Sequence, residues 1–177
     1  MYNKTMNRLL CVFIVVFAFW AVARADEKVQ FELVSPAFTD NSEIPPKFTC
    51  HGSDINPPLE FKNVPHKTKS FALSIHDPDA PEGVWVHWVV YNIKPATRTI
   101  AENTVPGHEL FNDFGKYHYR GPCPVDEKEH HYIIRAYALD QIMIIDEGST
   151  MKEMEQALRG HILAQAKLTG VYRKPVW

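Results

Sequence analysis

Two aspartates and two prolines lie between two imidazoles in HDPDAPEGVWVH, from His76 to His87. Asp77 and Asp79 flank Pro78, and Pro81 closes the group. Proline fixes φ, so the loop is preshaped before anything binds to it. If the strands on either side of the loop pair, Asp77 and His87 come within reach of each other. A carboxylate bonded to one ring nitrogen fixes the tautomer and raises the basicity of the ring. The other nitrogen can then donate to an anion. Ordinary turn chemistry explains the two aspartates equally well at this point, and a lone strand histidine is more often a core residue than a ligand.

A second group follows at GPCP (Gly121–Pro124) and HHY (His130–Tyr132). Alternation along a strand sends His130 and His131 to opposite faces, so only one can point at a given pocket. Asp77, Asp79, His87 and His130 could in principle gather round a cation. The chain has no His-Glu-x-x-His, no Cys-x-x-Cys and no calcium-loop pattern, so no metal is expected. It also lacks a Gly-x-Ser-x-Gly elbow and a glycine-rich phosphate loop, so catalysis is not expected. An esterase or phosphoesterase-like hydrolase is the enzymatic alternative.

The elements that must position these residues are mostly strands. SFALSIHD sets Phe71, Leu73 and Ile75 on one face and Ala72, Ser74 and His76 on the other. VWVHWVVYNI sets Trp85, His87, Val89 and Tyr91 against Val84, Val86, Trp88 and Val90. Both of its faces are apolar, as in a central strand covered on both sides. Shorter strands are expected at Phe31–Phe38, broken at Ser35-Pro36, and at Leu59–Phe61. Another is expected within His130–Asp140. Lys94–Val125 is a long proline- and glycine-rich excursion, and loops of that length in a compact domain tend to be functional. Thr150 and Glu153 form a capping-box pattern ahead of Met151, Met154 and Leu158, and Gly160 ends that helix. Ile162–Tyr172 alternates as a final strand, with a helical reading left open by its alanines and leucines. The sum is a mainly antiparallel β domain with one helix packed on it.

The amino terminus has the three-part plan of a secretory signal: Lys4 and Arg8, the apolar run Leu9–Val22, and Ala23-Arg24-Ala25. The run is about 14 residues, short of the roughly 18–20 needed to span a bilayer. The expectation is a signal peptide over 1–25, cleaved after Ala25, and a single domain over 26–177. The mature protein would then be periplasmic or secreted, with no transmembrane segment. The chain has 19 basic and 21 acidic residues. Loss of Lys4, Arg8 and Arg24 leaves 16 basic residues and a balance of −5. That is not the basic footprint of a nucleic-acid binder. Cleavage also leaves two of three cysteines, Cys50 and Cys123. An even pair in an oxidising compartment invites a disulfide. Two buried free thiols are the alternative, since spacing in space is not read from sequence.

Taken together, these stretches resemble the phosphatidylethanolamine-binding protein family, and within it the bacterial and archaeal Raf-kinase-inhibitor-like branch. The resemblance rests on SPAFTDNSEIPPKFTCHGSDINPPLEF, on DPDAP with VHWVVYNI, and on YRGPCP with HHYIIRAYALD, in that order. It implies a large antiparallel sheet packed with a smaller sheet on one side and a helix on the other. It also implies a small pocket for anions, including phosphate and a phospholipid head group such as phosphoethanolamine. Carried over by position, the pocket residues are Asp77, Asp79, Pro81, Trp85, His87, Pro124, His130 and Tyr132, with Cys123 close by. No cofactor is implied. A second reading is an inhibitor or modulator of a kinase or protease acting through protein contact, and a homodimer is also compatible. The chain departs from the family pattern at Val125–Glu129, which is charged and lacks glycine. The rim of the pocket, and with it ligand selectivity, is where a difference is expected.

Overall fold

The computed structural model describes residues 30–146 and 148–175. The expected signal peptide and its cleavage point lie outside these residues. Among these residues nine strands and one α-helix follow in chain order: β1 (Glu32–Val34), β2 (Ser42–Glu43), β3 (Leu59–Lys62), β4 (Ser70–Asp77), β5 (Trp85–Ile93), β6 (Thr99–Ile100), β7 (His108–Glu109), β8 (Glu129–Leu139), α1 (Met151–Leu158) and β9 (Ile162–Arg173). They form a six-stranded sheet in the order β2-β9-β8-β4-β5-β7 and a three-stranded sheet in the order β1-β3-β6. All pairings are antiparallel except that of β2 with β9.

The large sheet is covered on both faces, which is why β4 is buried along its whole length. Phe71, Leu73 and Ile75 face the small sheet, where Phe31, Phe61 and Phe71 stack. Burial of a ring of this size gains roughly 1.5–3 kcal/mol. Ala72 faces the other way, with Val89, Tyr137 and Leu139, against Met151, Met154 and Leu158 of α1. The helix starts as its sequence predicts: the Glu153 carboxylate accepts from the Thr150 backbone N–H at 2.6 Å. It ends before Gly160, whose φ of +80° is open to glycine at little cost. β9 is a strand and not a helix, because it pairs with β8 from Glu129↔Arg173 to Leu139↔Ile162. Pairing over that length overrides the propensity of its alanines and leucines.

β5 departs from the alternation read in its sequence. Ile75 pairs with Trp88 and His76 with Val86, so His87 is an extra residue on the β5 side. Such a bulge shifts the facing of everything beyond it by one residue. Val86 therefore joins Val89 and Tyr91 under α1, while Trp88 and Val90 enter the core between the sheets. His87 contacts Tyr132, a member of that same inter-sheet core. His87 thus parts from Val89 and Tyr91, with which simple alternation grouped it.

Candidate functional site

His87 is the bulged residue, and β5 has no strand neighbour on its outer edge before Val90, so the outward backbone groups of Val86 and His87 need other partners. The excursion after β7 supplies them. Asp113 accepts from the Val86 N–H at 2.7 Å and returns its own N–H to the Val86 carbonyl at 3.0 Å. The His87 carbonyl accepts from the Arg120 N–H at 3.2 Å and from the Asn112 amide at 3.1 Å. Asn112 is buried, and its Oδ1 also accepts from the N–H groups of Phe114 and Lys116. The long loop is folded onto β5 by the backbone groups left free at this edge.

The same loop is tied to the 46–54 segment. The Asp54 carboxylate accepts from the Gly121 N–H at 2.7 Å and from the Arg120 guanidinium. The Cys50 N–H donates to the Pro122 carbonyl, and Cys50 is bonded to Cys123 with Cα atoms 5.4 Å apart. A Cβ at Gly121 would lie 2.3 Å from the Phe48 carbonyl oxygen, so this close approach requires glycine.

These restraints wall a cavity of about 210 Å³ at one end of the inter-sheet core. Asp77 from β4, Trp85 and His87 from β5, and His130 from β8 line it. Pro81 and Glu82 lie at its mouth, and Phe114, Pro124 and Val125 come from the long loop and the rim. Two larger grooves, of about 680 and 840 Å³, open beside Gln30 and Phe31, but neither gathers more than one imidazole. Among the described residues no group of three His, Cys, Asp or Glu side chains is placed to hold a metal ion.

Asp77 sits between the two imidazoles and orients one of them. Its Oδ2 accepts from His130 Nδ1 at 2.8 Å, and its Oδ1 accepts from the Asp79 N–H at 2.9 Å. Both side chains of the Asp77–His130 pair are buried. The second ring nitrogen, Nε2, meets Asp126 Oδ1 at 3.1 Å. Burial alone would lower the pKa of His130, but the bonds to Asp77 and Asp126 outweigh it and hold the ring above its ordinary value. With a carboxylate at each nitrogen, His130 is an imidazolium that donates from both.

His87 is the opposite case. Its Nδ1 lies 2.7 Å from the Arg120 carbonyl, and not against Asp77 as the sequence suggested. A carbonyl only accepts, so Nδ1 carries the proton and Nε2 of the neutral ring carries a lone pair. Burial lowers the pKa of His87, against smaller opposing contributions from the Arg120 carbonyl and Asp77. The ring packs edge-on against Phe114 at 5.2 Å and against Tyr132 at 5.2 Å. His87 therefore presents an acceptor, where the sequence suggested a donor.

Tyr132 is 1 % exposed, and its hydroxyl makes no hydrogen bond of regular geometry. That oxygen lies close to the Asp77 carboxylate and the Cys123 backbone, both at the cavity. Burial pushes the phenol pKa far up, with the Asp77 charge adding to it, so Tyr132 stays a neutral donor.

Of the residues expected from sequence, Asp77, Pro81, Trp85, His87, Pro124 and His130 line the cavity, and Tyr132 packs on both imidazoles. Asp79 does not line it. Its carboxylate accepts from the backbone N–H and Nδ1 of His131 at the surface, at 2.8 and 2.7 Å. Slight burial would raise the Asp79 pKa, but these bonds hold it below the ordinary value. Asp79 anchors the loop, and His131 takes the opposite face from His130. Sequence reading missed Phe114 and Asp126. Both lie in irregular segments, where no periodicity marks which way a side chain points.

A family model described as phosphatidylethanolamine-binding protein matches residues 34–173. A UPF0098 protein of Methanothermobacter thermautotrophicus is 42% identical over 149 residues, covering 80% of this chain and 98% of that one. A UPF0098 protein of Chlamydia trachomatis is 41% identical over 153 residues, covering 81% and 99%. Among solved structures, the phosphatidylethanolamine-binding protein homolog CT736 of Chlamydia trachomatis superposes with a TM-score of 0.79 at 39% identity, covering 82% of this chain and 99% of its own. E. coli YbcL, described as a member of the mammalian PEBP family, gives 0.77 at 28% identity, covering 83% and 100%.

Proposed function

Because the chain belongs to the phosphatidylethanolamine-binding protein family, we propose that it is an exported, non-enzymatic binding protein whose cavity takes a small phosphorylated or otherwise anionic group. The observation that carries this reading is a single cavity walled by the buried Asp77–His130 pair and by His87. An oxyanion in that cavity would accept from the His130 imidazolium. The volume suits a head group and not a whole lipid.

The two imidazoles narrow the chemistry. His130 donates and neutral His87 accepts, so the ligand that fits carries acceptor oxygens and also a proton to give. The monoanion of a phosphate monoester has both, and with a second pKa of about 6 it is the main form only below that pH. A phosphoethanolamine-like group adds an ammonium, which Glu82 and the faces of Trp85 and Phe114 at the mouth can receive. Without a lysine or arginine among the lining residues, a bare dianion is poorly matched. The Cys50–Cys123 pairing supports export, since such bonds persist in oxidising compartments.

NMR titration with inorganic phosphate and with O-phosphoethanolamine tests the reading. The ring resonances of His87 and His130 should shift on saturation, and His87→Ala should abolish binding. No shift at either ring at millimolar ligand refutes it.

A further inference from the structure

His130 has two ring N–H groups, and both are engaged. Nδ1 is held by Asp77 and Nε2 by Asp126. The two carboxylates are not equivalent. The Asp77 side chain is 5 % exposed and is fixed by the Asp79 N–H as well. The Asp126 side chain is 33 % exposed and sits in Val125–Glu129, where each of the other residues is exposed. Its Oδ1 accepts from the Lys128 N–H, within its own turn. An ion pair open to solvent on one side only, as at Asp126, exchanges more readily than one buried on both. A ligand that accepts a hydrogen bond from His130 must therefore take Nε2.

We propose that Asp126 is a resident anion: its carboxylate holds His130 Nε2, and a ligand anion binds by displacing it. Asp126 thereby sets the affinity threshold of the site. This rests on the anion-binding reading above. The carboxylate is tethered four residues from His130, so it competes intramolecularly at high effective concentration. Apparent affinity falls by the fraction of molecules in which Nε2 is already taken. Weakly held anions are excluded unless they outbid it.

The test compares wild type, Asp126→Asn and Asp126→Ala by phosphate titration at neutral pH. Asn keeps an acceptor for the Lys128 N–H but no charge, and Ala removes the competitor outright. Both variants should bind inorganic phosphate more tightly than wild type, by about two- to five-fold, the range for an exposed ion pair. In the wild type, the Asp126 carboxyl ¹³C resonance should move as phosphate saturates the site. If phosphate binds wild type and the variants bind equally or more weakly, Asp126 positions His130 and does not compete with the ligand. An Asp126 carboxyl resonance that stays still on saturation overturns displacement as well. If phosphate binds none of the three proteins, the anion pocket itself falls, and the competitor with it.

Discussion

Replacing Asp77 by asparagine tests the centre of the site. The two carboxylate oxygens accept from different donors, His130 Nδ1 and the Asp79 N–H. Asparagine has one acceptor oxygen and one NH₂, so it can serve only one of them. If the oxygen turns to the Asp79 N–H, the NH₂ opposes Nδ1, and His130 must become neutral with its proton on Nε2. If the oxygen turns to His130, a loop amide is left unpaired. Either outcome loses one bond, and a bond to a charged group is worth about 1.5–3 kcal/mol. Asp77→Ala removes both acceptors and leaves a buried imidazolium half-paired, which raises the expected cost to about 3–5 kcal/mol. Urea unfolding at pH 7 reads the stability, and histidine NMR reads the titration. His130 should titrate lower in Asp77→Asn than in wild type. The linkage has a definite sign. The raised folded pKa of His130 gives stability that is complete below the unfolded value near 6.5 and is lost as pH rises through the folded value. That component should vanish from the variant. A loss under about 0.5 kcal/mol, together with an unmoved His130 titration, would refute the claim that Asp77 orients and charges this ring.

His76 gives the opposite dependence: burial first, then the charge of Arg135, lowers its pKa from 6.5 to about 4. The folded state favours the neutral ring, so its contribution is present above pH 6.5 and lost as pH falls toward 4. Two and a half units correspond to about 3 kcal/mol. His76→Gln, which keeps a partner for the Ser74 hydroxyl at 2.7 Å in wild type, should flatten the stability curve over that window. An unchanged slope in urea unfolding would count against it. The Cys50–Cys123 bond closes a sequence separation of 73 residues, which in the chain-entropy account is worth about 4 kcal/mol. The double serine variant should lose up to that amount, with weaker phosphate binding because Cys123 walls the cavity. Stability within about 0.5 kcal/mol of wild type, or two titratable thiols in the native protein, would contradict the pairing.

The regular parts of this fold are legible in the sequence and the irregular parts are not, and the site lies where the two meet. Period-two patterning locates β4, β5 and β8 and sets His130 and His131 on opposite faces. The same rule fails at His87, because an inserted residue leaves no mark in a run of Val, Trp and His. What stabilises the insertion comes from Asn112 and Asp113, more than twenty residues on, in a loop without periodicity. Strands of two residues, such as β6 and β7, are equally invisible, since their pairing is decided by the sheet they meet. The failure of alternation at His87 is tied to function. In an unbroken strand His87 and Trp88 would face opposite ways, so only one could lie on the side of the inter-sheet core. The bulge lets both do so. Trp88 is buried and donates to Glu109 at 2.6 Å, which fixes the start of the excursion. His87 is left to face the cavity that the excursion walls. A chain that kept strict alternation would give up either the anchor or the imidazole. The site therefore depends on a position in β5 where the pattern of the sequence and the path of the backbone disagree.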